Sequence, residues 1–197
     1  MTLTERSTLG TVVAVVSAAL RRHRIPAVLT GGACASLYTD GRYMSADMDF
    51  ILIGPATQAG LDAALGSIGF GRRGDRYVHA RTRFYVEFPR GPIAIGGDYR
   101  VAPVERRTRF GRFLLLSPTD ACRDRLAAFY HWNDRQSLEV AVAIARRHRL
   151  RMDGIRRWSV AERSADRFAE FLQELRRART RRARRGRALG ARAGLRS

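Results

Sequence analysis

The sequence predicts a mixed α/β (α+β) protein: a mixed sheet flanked by helices, followed by a C-terminal helical part. Three observations predict it. A short apolar run ends in a glycine pair and is followed by a second run whose two faces are both apolar beyond residue 49, the pattern of a strand covered on both sides. Two β-rich segments between residues 76 and 88 read as a hairpin. From residue 117 onward the apolar period becomes helical.

Leu3 to Arg24 reads as a first helix, with Val12, Val13, Val16, Ala19 and Leu20 on its apolar side. Pro26 ends the connection, and Ala27 to Thr30 is a short buried strand broken by Gly31-Gly32. Ala33 to Tyr38 supplies one or two helical turns, and Asp40-Gly41 marks a loop. Asp47 to Ile53 is the second strand, Thr57 to Ile68 a helix, and Gly69 to Gly74 a loop. Arg76 to His79 and Arg83 to Phe88 form the hairpin. Pro89-Arg90-Gly91-Pro92 is a break, after which Tyr99 to Glu105 and Arg112 to Leu116 are further strands. Ser117-Pro118-Thr119-Asp120 then opens a helix, with Ser117 or Thr119 as cap. Leu126, Phe129 and Tyr130 form one apolar stripe, Val140 and Ile144 the next, and Phe168, Phe171, Leu172 and Leu175 close the series; Tyr130 and Trp132 read as core aromatics. The expected organisation is a core over 1–116, a helical subdomain over 117–175 and an arginine-rich, flexible tail over 176–197.

Composition narrows the class. The chain has 197 residues, 45% of them hydrophobic, which supports a packed interior and excludes global disorder. The net charge of +19 points to nucleic acid or another anionic ligand. All 37 basic residues are arginine, however, and ten of them fall in the last 22 positions, so the body carries only +9. Cys34 and Cys122 are far apart and form neither a disulfide framework nor a metal-ligand spacing, which fits a cytoplasmic setting. The longest apolar stretch, Gly10 to Leu20, is too short to span a bilayer, and without a cleavage site it is not expected to be an export leader.

The chemistry concentrates at Asp47-Met48-Asp49, fifteen positions after Gly32. Side chains alternate along a strand, so Asp47 and Asp49 project from one face. Two carboxylates so placed repel unless a cation neutralises them, and hard oxygen ligands suit Mg2+ or Mn2+. Such ions activate an attacking oxygen and stabilise a leaving one, which is most of what phosphoryl transfer needs. Gly31-Gly32 supplies the complement, a backbone that a phosphate can approach closely and a following helix with unpaired N–H groups. Thr30 adds a hydroxyl. Glu87, an acid among Phe84, Val86 and Phe88, is the candidate third carboxylate; Asp98 is the alternative, though Gly96-Gly97-Asp98 looks like a turn.

The stretch Leu29-Thr30-Gly31-Gly32 through Asp47-Met48-Asp49-Phe50 resembles the signature of the DNA polymerase β-like nucleotidyltransferase superfamily. More narrowly, it resembles small bacterial AbiEii-type toxins. The resemblance implies that Gly31 and Gly32 touch the triphosphate of an NTP, that Asp47, Asp49 and Glu87 hold magnesium, and that NMP passes to an acceptor hydroxyl. It also implies that Asp124-Arg125-Leu126 and His131 to Arg135 belong to helices leaning over the nucleotide, with Arg135 as a nucleotide contact. The acceptor would be tRNA or a protein hydroxyl, and a cognate antitoxin would accompany a toxin. The match is imperfect. The gap between the glycines and the first aspartate is long, and Met44 replaces an arginine for which Arg42 can stand in. The toxin-like lysine has no counterpart except Arg123, Arg125 or Arg135. The contrasting expectations are a catalytically inactive nucleotide- or RNA-binding module of the same fold, and a transferase acting on an aminoglycoside-like small molecule.

Overall fold

The computed structural model describes residues 2–39 and 41–193, with side chains described through residue 181. The elements run α1 (Leu9–Arg22), β1 (Ala27–Leu29), α2 (Gly31–Leu37), β2 (Asp47–Leu52), α3 (Gln58–Gly66), β3 (Phe70–Arg73), β4 (Arg76–His79) and β5 (Thr82–Glu87). They continue with β6 (Val104–Thr108), β7 (Gly111–Leu115), α4 (Pro118–Trp132), α5 (Arg135–Arg147), α6 (Met152–Ala161) and α7 (Ala165–Ala193). The strands form one seven-stranded mixed sheet in the order β3-β4-β5-β2-β1-β7-β6. β2 lies at its centre, parallel to β5 and antiparallel to β1, while β1 is parallel to β7.

The helix boundaries have local causes. The Thr8 side chain accepts from Thr11 N at 3.3 Å, so α1 starts at Leu9 rather than at Leu3. Leu3 is nonetheless buried. The expected apolar side of α1, from Val12 to Leu20, is almost wholly buried and packs on β7 and α3. Ser117 caps α4 by accepting from Asp120 N at 3.1 Å, with Pro118 as its first residue. Asn133 ends α4 in the left-handed region and Asp134 caps α5 through Ser137 N at 3.1 Å, so two residues turn the chain from one helix into the next. α4 packs on α5, α5 and α6 on α7, and α2 joins these helices to the sheet by touching both β2 and α4.

Three further expectations change. The segment expected as a loop, Gly69 to Gly74, contains β3, which pairs with β4 from Phe70↔His79 to Arg73↔Arg76. The Gly74-Asp75 pair is a hairpin turn with Gly74 at φ +65°, but the exposed arginines of β3 hide the strand period. The strand expected at Tyr99 to Glu105 lies later, at Val104–Thr108, as an exposed edge paired only with β7. Trp132 is not a core aromatic: it is 77% exposed, whereas Tyr130 is buried and stacks on Trp158. Among the residues with described side chains Leu175 is the last buried one in the hydrophobic core, although the α7 helix extends to Ala193. Most of the expected 176–197 tail lies outside the residues with described side chains.

Candidate active site

Two parallel neighbours at the sheet centre build the site. The β2–β5 register sets Asp47 opposite Tyr85, Met48 opposite Val86 and Asp49 opposite Glu87. Residues directly paired across strands share a face. Met48, Phe50, Phe84 and Val86 are therefore the buried side of this pair, and Asp47, Asp49, Tyr85 and Glu87 occupy the other face, each half-buried. The three acids expected to act together thus stand on one surface.

The glycine pair closes on this surface. Thr30 N donates to the Asp49 carbonyl at 2.9 Å, and Thr30 Oγ1 donates to the same oxygen at 3.4 Å, continuing the β1–β2 ladder to the start of α2. Gly31 has φ +64°, and a Cβ on it would collide with the Asp49 carboxylate. At Gly32 a Cβ would stand 2.7 Å from Ser45 Oγ. Both positions need glycine, Gly31 for its conformation and contact and Gly32 for contact alone.

Ser45 and Ser36 tie these parts together. Ser45 Oγ donates to Asp47 Oδ1. Ser45 N donates to Ser36 Oγ at 3.1 Å, and Ser36 Oγ donates to the Gly32 carbonyl at 2.9 Å. The first aspartate is therefore fixed relative to the second glycine by two serine side chains.

Asp49 is the electrostatic focus. Burial, then the charges of Asp47, Glu87 and Asp124, push its carboxyl up from 3.8 to about 6, while Arg125 pulls it down. Asp124 and Arg125 belong to α4, so the helical part faces the sheet's acids as well as packing on α2. Arg125 binds Asp124 Oδ2 through Nη2 at 2.6 Å and Nε at 3.0 Å. Arg76, opposite Glu87 on β4, places its guanidinium 4.9 Å from the Tyr85 ring centre.

The remaining candidates have partners of their own. Arg135 donates to Glu170 Oε1 at 2.6 Å and sits over the Phe129 ring. Asp98 accepts from Arg100 N and Nε at 3.0 Å and from Arg123 Nη2 at 2.7 Å; Arg123 also reaches Asp120 at 3.0 Å. His131 bonds Glu162 at 3.1 Å. Sequence reasoning missed Ser36, Ser45 and Tyr85 as members of the site and placed Asp124 only in a helix leaning over the nucleotide. Tyr85 was accessible from the two-residue period of its strand, and Ser45 from the same period extended one step ahead of Asp47. Nothing local to Ser36 marks it, and Asp124 is marked by the resemblance of its segment alone.

Carboxylate oxygens are the donor type that Mg2+ and Mn2+ take, and a cation would relieve the repulsion that raises Asp49. In kind, the donor set fits such an ion. Among the described residues, no three His, Cys, Asp or Glu side chains stand together at metal-holding spacing.

The sheet order and this face have a counterpart among solved folds. The chain is similar in structure to an antigenic nucleotidyltransferase-like protein from Paracoccidioides brasiliensis, with a TM-score of 0.54 over 72% of this chain and 77% of that one, at 16% sequence identity. No protein-family model and no curated protein matches the chain. Among the described residues no helix is long and apolar enough to cross a membrane.

Proposed function

We propose that the chain is a metal-dependent nucleotidyltransferase that moves NMP from an NTP to an acceptor hydroxyl. The observation that carries this is the shared face of Asp47, Asp49 and Glu87 on two hydrogen-bonded central strands, with Gly31 packed against the Asp49 carboxylate. Asp47 and Asp49 would hold Mg2+ or Mn2+, with Glu87 as third ligand. When bound, the ion would neutralise the triphosphate and favour ionisation of the attacking hydroxyl. The chain's own residues supply the rest. Gly31 and Gly32 leave the backbone bare where phosphates approach, and Thr30 holds that turn to β2. Ser45 orients Asp47. Glu87 takes the acceptor's proton as its oxygen attacks the α-phosphorus and the bond to the β-phosphate oxygen breaks, releasing pyrophosphate. Arg125 balances part of the negative charge.

The basic surface favours an anionic acceptor such as tRNA over a protein hydroxyl or a small molecule. The motif resemblance supports the narrower idea of a toxin held by a cognate antitoxin, which would be encoded beside it. The decisive experiment incubates the protein with magnesium and each α-labelled NTP, with and without total tRNA, beside Asp47→Ala/Asp49→Ala. Label on RNA or protein that disappears in the double variant is the expected result. NTP binding without transfer to any acceptor would instead support an inactive binding module, and absence of NTP binding would remove the proposal.

A further inference from the structure

A groove of about 1260 Å³ runs between α5, α7 and the loop that leads into β2. Among the described residues six arginines line it: Arg42 from the loop, Arg135, Arg146 and Arg147 from α5, and Arg177 and Arg181 from α7. Among the described residues Glu139 and Glu174 are its acids. The spacing explains the lining. Arg135, Glu139 and Arg146 recur along one side of α5, as Glu174, Arg177 and Arg181 do along α7, so a face about 16 Å long on α5 meets one about 10 Å long on α7.

The charges are unevenly satisfied. Arg135 is held by Glu170 and Arg177 by Glu174. Among the described residues Arg42, Arg146 and Arg181 make no ion pair. Like charges gathered in a concavity raise its potential and favour a polyanion that releases its counterions on binding. Guanidinium groups match phosphate geometry. The two carboxylates would only repel a ligand made of phosphates alone. They are acceptors, however, and RNA carries a donor hydroxyl at each ribose. The groove's lip is close to the site along the chain: Arg42 lies five residues before Asp47, and Ser45 between them binds Asp47.

We infer that this groove is an RNA-binding surface that carries the phosphate backbone of the acceptor strand towards the β2–β5 face. The inference rests on the transferase proposal for the identity of the strand as acceptor, but its test reads binding and is independent of transfer. A fluorescent single-stranded RNA is titrated by anisotropy against the full chain, against Arg42→Gln/Arg146→Gln/Arg181→Gln, and against Arg22→Gln/Arg24→Gln/Arg156→Gln, which removes equal charge elsewhere. The groove variant is expected to lose about tenfold or more in affinity, and its log–log salt dependence to flatten by about 0.7 for each phosphate contact removed. The control variant should change less than about threefold. DNA of the same sequence should bind more weakly than RNA. Crosslinking of 4-thiouridine RNA to the unaltered chain should mark α5 or α7 peptides, which keeps the question open to test if a variant does not fold. Equal losses in both variants, crosslinks confined to other elements, DNA bound as tightly as RNA, or displacement of RNA by polyglutamate would each overturn the assignment. No RNA binding would overturn it too, while labelling of another acceptor would leave the transferase proposal standing.

Discussion

Two groups of carboxylates in this protein have opposite surroundings. Around Asp98, every acid is answered. Asp98 accepts from the Arg100 backbone and side chain and from Arg123, which hold its carboxyl down at about 2. Arg123, only 7% exposed, spans Asp98 and Asp120 and lies 4.9 Å from the Trp158 ring centre. Nearby, Trp158 Nε1 donates to the Ile95 carbonyl at 3.1 Å and Gly97 N donates to Glu162 at 2.7 Å. Around Asp49 the balance is reversed: burial and three neighbouring acids raise it, and Arg125 offsets only part. The first group fastens the β5–β6 connection to α4 and α6. The second gathers charge that the chain itself leaves incompletely compensated, as binding and catalytic sites do. An acid's role here is set by what its neighbours donate rather than by its residue type.

The largest expected effect tests the paired group. Arg123→Ala leaves Asp98 and Asp120 without their shared cation and should destabilise the protein by about 3–5 kcal/mol in urea unfolding. A loss below about 1 kcal/mol would mean that the network is a surface pairing and the contrast fails.

The next effect has the opposite sign. Asp49→Asn removes a charge that Asp47, Glu87 and Asp124 disfavour, so without divalent metal it should stabilise the protein at neutral pH while abolishing transfer. The pH dependence separates the two regions. A carboxyl raised to about 6 in the fold binds more protons there than in the unfolded chain, so its favourable contribution is full below its ordinary 3.8 and is lost as pH rises towards 6. Asp98, held at about 2, behaves inversely: its contribution is present above 3.8 and is lost as pH falls towards 2. Between about pH 4 and 7 the stability of the parent relative to Asp49→Asn should therefore fall by an amount on the order of 2 kcal/mol. Saturating magnesium should stabilise the parent at neutral pH and leave Asp49→Asn little changed. A parent more stable than the variant at pH 7 without metal would break the contrast.

The smallest effect compares glycines. Gly31, Gly74 and Gly96 all have positive φ, so alanine at any of them costs about 1–2 kcal/mol of backbone strain. They differ in what a Cβ would meet: the Asp49 carboxylate, open space, and the Glu162 carboxylate. Gly31→Ala should cost stability and most of the transfer activity. Gly96→Ala should cost stability alone, by more than Gly74→Ala. Equal labelling by the Gly31 and Gly74 variants would show that the glycine turn does not set the Asp49 carboxylate.

The sequence alone determined the elements that carry their own signal. The glycine pair, the Asp-x-Asp strand and the acid in an apolar strand announced Thr30, Gly31, Gly32, Asp47, Asp49 and Glu87, because strand period is written locally and glycine marks close approach. It also narrowed the α4 cap to Ser117 or Thr119 and marked the helical series beyond it. Tertiary structure decided what depends on partners distant in the chain. It supplied β3, whose exposed arginines gave no period until β4 paired with them, and it left Trp132 outside the core. It brought Asp124 from α4 towards Asp49 and used Ser36 to link Gly32 with the strand of Asp47. It gave Asp49 and Asp98 opposite surroundings, because a carboxylate's charge state follows from the donors, charges and burial that only the folded chain assembles around it.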